Sequence, residues 1–144
     1  MLVRQILKLK PDGTLHSIPP DATIAEAAEE LSARRIGVLI VSSDGLHLDG
    51  ILSERDIVRE LGRRGSGCLA DAVSTAMTRD VATCACSDDA DSVLQRMNDG
   101  RFRHLPVIED GAMIALISQG DVVKAQLSEL SMEKAALQDM IMGH

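Results

Sequence analysis

Apolar and polar positions along this chain follow two periods, one typical of helices and one typical of strands. Residues 21–34 carry apolar side chains three and four positions apart, which predicts a helix with one packed face. Residues 36–41 form an apolar run rich in β-branched residues and predict a buried strand. An Asp-Gly pair at 44–45 is typical of a hairpin turn, so the apolar residues at 48–52 predict the returning strand. A second helix is predicted over 53–64.

The same order of features returns in the second half of the chain. Ser53 and Asp56, which follow a predicted strand, recur 65 positions later as Ser118 and Asp121. Apolar runs precede both pairs, and the one slip in spacing falls in a turn, where insertions are tolerated. Matching features in one order indicate a duplicated unit. The second copy predicts a strand, a helix, two strands and a helix at 81–85, 88–99, 104–108, 113–117 and from Ser118.

Each half therefore has the order β-α-β-β-α, and we predict an α/β (α+β) fold built from two similar units. A unit of about 60 residues is marginal alone, and a sheet face left bare on one unit could be covered by the other. The stretch at 62–67 is dense in glycine and polar residues, which is typical of a linker. The predicted boundaries are a first unit at 1–64, a linker or short helix at 65–76, a second unit at 77–130 and a C-terminal helix at 131–144.

The C-terminal segment carries apolar residues on one helical stripe. Met132, Ala136 and Met140 lie four positions apart, and Ala135, Leu137 and Ile141 widen the stripe. This pattern predicts an amphipathic helix, which needs a surface to cover its apolar face. The sequence leaves two alternatives for that surface: it belongs either to another subunit or to the same chain.

Composition excludes several classes of function. The 144-residue chain has one aromatic residue, Phe102, so it lacks a platform for stacking nucleic-acid bases. Its formal net charge of −7 argues against binding along a phosphate backbone. Three cysteines cannot all pair, which favours a reducing compartment. No apolar run reaches the ~20 residues of a membrane span, and the N-terminus does not have the pattern of a secretion signal. We therefore expect a cytoplasmic protein that binds neither nucleic acid nor membrane.

Residues that could carry catalysis or bind a metal are scattered. Cys84 and Cys86 would share one face of a strand, but zinc needs further ligands at suitable spacing, and the four histidines lie far apart. No grouping of serine, histidine and aspartate indicates nucleophilic catalysis. The sequence predicts neither a metal site nor an enzyme.

The repeated Ser-x-x-Asp turn permits two interpretations. In one, each serine caps the helix that follows and the aspartate caps the serine in return. In the other, the helix N-terminus attracts an anion while the carboxylate accepts hydrogen bonds from the vicinal hydroxyls of a ribose, as a nucleotide would provide. Both interpretations use the same atoms, and the residues alone leave both open.

At these positions the chain resembles tandem CBS domains, named for cystathionine β-synthase. The resemblance covers residues from about 7 to 124 and rests on the order and duplication of short segments rather than on one motif. These segments are 20–24, 36–41 and 50–56 in the first half, and Met77-Thr78, 103–107 and Ser118-x-x-Asp121 in the second.

The resemblance implies a module of pseudo-two-fold symmetry that binds an adenosyl ligand in clefts between its two units. Ligands of the family include AMP, ADP, ATP, NAD(H) and S-adenosylmethionine. The family's aspartate holds the ribose hydroxyls, a role that carries over to Asp56 and Asp121. Ser53 and Ser118 would contact the ribose or a phosphate. The phosphate side would include Arg55, Arg103 and His104, and the adenine slot would comprise Ser17, Ile18, Gly37, Val38, Thr83, Cys84, Leu105 and Pro106.

Two departures from the family pattern predict that the two sites differ. Ala115 stands at the place of Gly50, where an added methyl group could crowd a ligand or displace the strand. The second turn also lacks a cation at the position of Arg55. We expect one of the two sites to bind poorly.

The resemblance therefore implies a non-catalytic regulatory module that senses an adenosyl ligand as a homodimer. Such a module passes its state to another protein, or along its own oligomer, through differential affinity between two conformations. Whether Mg²⁺ accompanies the ligand is left open by the residues. The alternative is a structural module for homodimerisation or interaction without a nucleotide, and a small nucleotide-acting enzyme is the third hypothesis.

Overall fold

The computed structural model describes residues 1–10 and 15–143. In chain order its elements are α1 (Val3–Leu9), β1 (Ser17–Ile18), α2 (Ile24–Arg34), β2 (Val38–Val41), β3 (Gly50–Ser53), α3 (Glu54–Arg64), two short 3-10 helices (Ser66–Ala70 and Val73–Thr75), α4 (Ala90–Gly100), β4 (His104–Glu109), β5 (Ala112–Ser118) and α5 (Gln119–Ile141). β2 pairs in parallel with β1 and antiparallel with β3, while β4 and β5 form a two-stranded sheet. Within the described ranges, no helix combines the length and the apolarity of a membrane span.

Reciprocal caps, in which each of two side chains accepts the other residue's N–H, mark the start of three of these helices. α2 begins at Ile24 because the Thr23 hydroxyl accepts the Glu26 N–H at 3.1 Å and the Glu26 carboxylate accepts the Thr23 N–H at 3.2 Å. Ser53 and Ser118 form the same reciprocal cap for α3 and α5. The predicted mixture of helices and strands is confirmed.

The chain forms two compact units, which we name after the aspartates of their repeated turns. The described residues of the Asp56 unit are 15–83 and 108–114, and those of the Asp121 unit are 1–10, 84–107 and 115–143. Each unit buries a hydrophobic core of its own.

In the Asp56 unit, the three-stranded sheet packs against α2 and α3. Val38 lies opposite Ser53 and Leu39 lies opposite Leu52 in the antiparallel register. Leu39 and Leu52 are fully buried, so this pairing holds the start of α3 against the core. The unit also contains the hairpin tip at 108–114, where the Met113 N–H donates to the Leu46 carbonyl oxygen at 2.8 Å.

The Asp121 unit includes α1, although α1 lies at the start of the first repeat in the sequence. Val3 and Ile6 are buried in the same core as Val93 and Met97. The Val3 N–H also donates to the Asp88 carbonyl oxygen at 2.9 Å. The compact units therefore differ from the predicted division at 1–64, because the apolar face of α1 is buried against the second repeat.

The strand predicted at 81–85 is wrong. Only Cys84 makes a bridge, in parallel with Val107. The following N–H, that of Ala85, donates to Asp88 Oδ2 at 2.9 Å, so a side chain takes the bond that a neighbouring strand would have made.

The bounds of two further elements also differ from those predicted. β3 begins at Gly50 rather than at residue 48, so 42–49 is a loop and not a tight hairpin turn. In this loop Asp44 Oδ1 accepts the N–H groups of Leu46 and His47, both at 2.8 Å. The predicted C-terminal helix is present as a continuation of α5, without a break between them.

Gly50 occupies a position where the fold has no room for a side chain. A Cβ at this position would lie 2.7 Å from Met77 Sδ and 2.8 Å from the Thr78 carbonyl oxygen. Thr78 is held there by two backbone hydrogen bonds to Ile51, at 2.9 and 3.0 Å. The equivalent residue of the second repeat, Ala115, is half-buried and packs against the core of the Asp121 unit. Close packing thus explains the glycine.

We expect Gly50→Ala to lower the free energy of unfolding by about 1–3 kcal/mol, because the new methyl group overpacks this contact. Gly62→Ala is the matched control, since Gly62 lies inside α3 with open space where its Cβ would be. That substitution should raise the free energy of unfolding by about 0.5–1 kcal/mol. Urea denaturation of both variants measures the difference, and changes of the same sign would contradict this account of Gly50.

Candidate functional site

The two Ser-x-x-Asp turns have the same local geometry. The Ser53 N–H donates to Asp56 Oδ2 at 2.8 Å and the Asp56 N–H donates to Ser53 Oγ at 3.1 Å. In the second turn, the Ser118 N–H donates to Asp121 Oδ2 at 2.9 Å and the Asp121 N–H donates to Ser118 Oγ at 3.0 Å. Both turns connect a strand to a helix, so each presents the positive end of a helix dipole.

A backbone contact to the preceding strand region is also repeated. The Glu54 N–H donates to the Gly37 carbonyl oxygen at 2.9 Å, and the Gln119 N–H donates to the Arg103 carbonyl oxygen at 2.8 Å. These bonds hold Gly37 beside the first turn and Arg103 beside the second. The duplication read from the sequence therefore extends to backbone hydrogen bonds around the candidate site.

Asp56 has partners on both carboxylate oxygens. Oδ2 accepts the Ser53 N–H, and Oδ1 accepts a hydrogen bond from the Arg59 guanidinium, which forms an ion pair with it. The Asp56 side chain is 8% exposed. Arg55, the cation predicted for this turn, is exposed and makes no ion pair within the described residues. Arg59 therefore neutralises Asp56 in place of Arg55.

Asp121 is more open, and its partners sit on one oxygen. Oδ2 accepts the Ser118 N–H at 2.9 Å and lies 3.0 Å from Lys10 Nζ. Lys10 Nζ also donates to the Leu116 carbonyl oxygen at 2.8 Å. Within residues 1–10 and 15–143, Oδ1 accepts no hydrogen bond, and the side chain is 26% exposed. Burial raises the pKa of Asp121, but the Ser118 N–H and Lys10 outweigh it and hold this pKa below its usual range.

His104 lies in the same electrostatic environment as Asp121. Burial lowers the pKa of His104 below its ordinary value of 6.5, and the charges of Lys10 and Arg103 lower it further, against the opposing effect of Asp121. The imidazole is therefore neutral at pH 7, with one nitrogen able to donate and the other able to accept a hydrogen bond.

The fold shifts the pKa values of two histidines, His104 and His47, in opposite directions, and NMR can follow both titrations. We expect His104 to titrate below pH 6.5 and His47, whose hydrogen bond and ion pair with Asp44 raise its pKa, to titrate above it. Because the folded pKa of His104 lies below the unfolded value, its contribution to stability is present above about pH 6.5 and is lost as the pH falls. His104→Gln assigns the resonance, and a His104 midpoint above that of His47 would contradict the burial argument.

The residues predicted for the adenine slot differ in how far they are exposed to solvent. Ile18, Cys84, Leu105 and Pro106 are buried, Gly37, Val38 and Thr83 are half-buried and Ser17 is exposed. Val38 lies opposite Ser53, and the Cys84 N–H donates to the Pro106 carbonyl oxygen at 3.0 Å. Burial raises the pKa of Cys84 to about 11, so its thiol is neutral and unreactive. Their role around an adenine stays a prediction.

Two cations at these turns were missed in the sequence. Arg59 lies three positions after Asp56, a spacing at which side chains meet on one face of a helix, so this pair was readable locally. Lys10 follows α1, a helix that was not predicted from the sequence, and nothing near it pointed to Asp121. Among the described residues, no group of three or more His, Cys, Asp or Glu side chains is placed to hold a metal ion.

The sequence of this chain is similar to those of known proteins. The family model described as CBS domain matches residues 3–63 and 72–128. The CBS domain-containing protein CBSCBSPB3 of Arabidopsis thaliana is 34% identical over 136 residues, which are 94% of this chain and 24% of that protein. This chain thus spans about a quarter of the length of that curated relative.

Solved structures match over most of both chains. The CBS-domain-containing protein ATU1752 from Agrobacterium tumefaciens superposes with a TM-score of 0.82 at 39% identity, covering 88% of this chain and 99% of that one. The CBS domain pair of protein MJ0100, solved in complex with 5′-methylthioadenosine and S-adenosyl-L-methionine, superposes with a TM-score of 0.72 at 27% identity, covering 90% of this chain and 98% of that one.

Proposed function

This chain belongs to the CBS domain family, and from that premise we propose that it is a non-catalytic regulatory module that binds an adenosyl ligand at its Ser-x-x-Asp turns. One observation carries the proposal. Asp121 is oriented and ionised by partners on Oδ2, while Oδ1 accepts no hydrogen bond from the described residues. Oδ1 is therefore available to accept hydrogen bonds from a ligand, and the cap of α5 does not use it.

The open carboxylate suits the two neighbouring hydroxyls of a ribose. An ionised carboxylate has about four lone-pair positions, and the Ser118 N–H and Lys10 use two of them on Oδ2. The remaining positions can accept two hydroxyl hydrogens, and hydrogen bonds to a charged acceptor are stronger than neutral ones. The low pKa of Asp121 keeps that acceptor charged at neutral pH.

The surroundings of Asp121 also suit an anionic part of the ligand. The N-terminus of α5 carries the positive end of its dipole, and Lys10 and Arg103 add two cations in the same unit. Neutral His104 can either donate to or accept from the ligand. Phosphate or carboxylate groups of the ligand would be bound on this side.

The ligand class comes from the resemblance and from one relative. MJ0100, which is 27% identical, binds S-adenosylmethionine and 5′-methylthioadenosine, both of which contain an adenosine. AMP, ADP, ATP, NAD(H) and S-adenosylmethionine share that adenosine, and we propose one of them as the ligand here. The module would act as a homodimer and change its affinity for a regulated protein when the ligand binds.

A structural module without a ligand is the second candidate. It is favoured by the reciprocal caps, since each aspartate already stabilises the start of its helix through one oxygen. Asp56 fits this role best, because Arg59 forms an ion pair with its other oxygen and its side chain is 8% exposed, against 26% for Asp121.

A thermal-shift panel separates the two candidates. A ligand at 100 times its dissociation constant adds about 2.7 kcal/mol to the free energy of unfolding. At this chain length that should raise the melting temperature by roughly 5–10 °C. The panel contains AMP, ADP, ATP, NAD, NADH, S-adenosylmethionine and, as a control, adenine, which has no ribose. No shift with any adenosyl compound would favour the structural module, whereas an equal shift with adenine would contradict the proposed ribose contact.

A further inference from the structure

The helix α5 changes its environment along its length. In its first two turns, Val122 and Ala125 are buried in the core of the Asp121 unit, and the Gln126 side chain donates to Asp91 Oδ1. On the opposite side, Val123 and Leu127 are exposed. From Leu130 onward every described residue of the helix is exposed, so the Asp121 unit does not cover this half.

The exposed side of α5 carries a heptad pattern. We call the set of residues spaced alternately by four and three positions the α5 seam, and its members are Val123, Leu127, Leu130, Lys134, Leu137 and Ile141. All of them are exposed, and all but one are apolar. Such a spacing produces a straight apolar seam between two helices that coil around each other, with Leu127, Lys134 and Ile141 at the a positions and Val123, Leu130 and Leu137 at the d positions.

The polar residues within the seam indicate what covers it. A single lysine at an a position specifies register and favours two strands, because its ammonium can reach the rim only in a narrow pair. Glu133 precedes Lys134 at the g position, so in a parallel pair of identical helices each Lys134 lies beside Glu133 of the other copy. In an antiparallel pair, g positions face each other, and two Glu133 carboxylates would approach.

We propose that residues 123–141 of α5 form a parallel two-stranded coiled coil with a second copy of this chain. The proposal names the interface of the homodimer proposed above and does not depend on the adenosyl ligand. The seam is about 28 Å long at 1.5 Å per residue. A helix of this length is marginal alone, but α5 is anchored by its buried first turns, so the nucleation cost is already met within the Asp121 unit.

Disulfide trapping tests the interface and its orientation. Leu137→Cys and Met132→Cys are made in a Cys86→Ser background, since the other native cysteines are buried. Leu137 is 59% and Met132 71% exposed. Met132, which the four-residue spacing assigned to the predicted stripe, lies at an f position of the heptad and therefore outside the α5 seam. With a mild oxidant, Leu137→Cys should form a covalent dimer at least ten times faster than Met132→Cys. Equal rates, or no covalent dimer from Leu137→Cys, would overturn the parallel seam.

Sedimentation equilibrium gives a second, independent readout. The full chain should have twice its 15.4 kDa mass, and Leu130→Glu should raise the dimer dissociation constant at least tenfold, while Met132→Glu should leave it unchanged. Both residues are exposed in the monomer, so circular dichroism should show the same folded state. An unchanged dissociation constant for Leu130→Glu would overturn this interface, even if the protein were a dimer.

Reversing the charges of Glu133 and Lys134 distinguishes a specific contact in the α5 seam from a general effect of added charge on dimer formation. Lys134→Glu should weaken the dimer because it places acidic groups against Glu133 of the other copy. The double variant Glu133→Lys/Lys134→Glu should restore at least half of the lost affinity, and failure of this rescue would contradict the parallel register. The thermal-shift panel is scored separately, so a failed coiled coil and a failed ligand proposal give different results.

Discussion

Replacing Asp121 by asparagine should remove about half or more of the rise in melting temperature that the adenosyl ligand produces, and the same change at Asp56 should have a smaller effect. Asparagine keeps the shape of aspartate and one carbonyl acceptor, but it loses the charge and the second acceptor that two ribose hydroxyls require. Hydrogen bonds to a charged group contribute about 1.5–3 kcal/mol, so we expect binding to weaken by about 10- to 150-fold.

Asp56→Asn is the matched control for this experiment. Both aspartates cap a helix through the same pair of bonds, so both variants lose a similar share of that stabilisation. Asp56 already gives its other oxygen to Arg59, whereas Oδ1 of Asp121 accepts no bond from the described residues. Each shift is measured against the ligand-free melting temperature of the same variant, and binding is repeated by calorimetry. An unchanged affinity for Asp121→Asn would refute the proposed ribose contact.

Ile6→Ala should lower the free energy of unfolding by about 2–5 kcal/mol, because it leaves a cavity in the core of the Asp121 unit. Ile6 is 1% exposed and packs in that core, although it lies far from the second repeat in the sequence. Urea denaturation followed by circular dichroism measures the loss.

Leu9→Ala is the control for the change in helix α1 itself. Leu9 lies in the same helix but is 58% exposed, so we expect its replacement to change the free energy of unfolding by less than about 0.5 kcal/mol. Similar losses in the free energy of unfolding for both variants would mean that α1 contributes to stability only through the helix propensity of its residues. Such a result would contradict the burial of α1 in the Asp121 unit.

Local sequence signals predicted most elements to within a few residues. The apolar run at 36–41 contains β2, and the stripe at 21–34 contains α2, whose start at Ile24 follows from the cap at Thr23. These signals succeed because capping and amphipathic periodicity involve residues within one or two turns of each other. The strand predicted at 81–85 failed because the Asp88 side chain competes for the Ala85 N–H, and apolar pattern alone does not report that bond.

Local sequence signals predicted only part of the candidate site. Repetition of Ser-x-x-Asp located both turns, and their reciprocal caps are visible in the spacing alone. The sequence also predicted that the two sites differ, but on the basis of Ala115 and Arg55. In the structure the difference arises from Arg59 at the first turn and Lys10 at the second, and the adenine slot remains a prediction.

The amino-acid sequence by itself determined the repeated Ser-x-x-Asp turns with the helices that follow them, most of the other helices and strands, and the resemblance to the family, because each of these depends on short segments of the chain. Only the tertiary structure decided that α1 belongs with the second repeat, that Gly50 has no room for a methyl group, and which oxygen of Asp121 is open. Lys10 and Leu116 are 106 residues apart, and a contact of that separation exists only once the core of the Asp121 unit has formed. No local period encodes such a contact, because it depends on where packing brings two distant segments together.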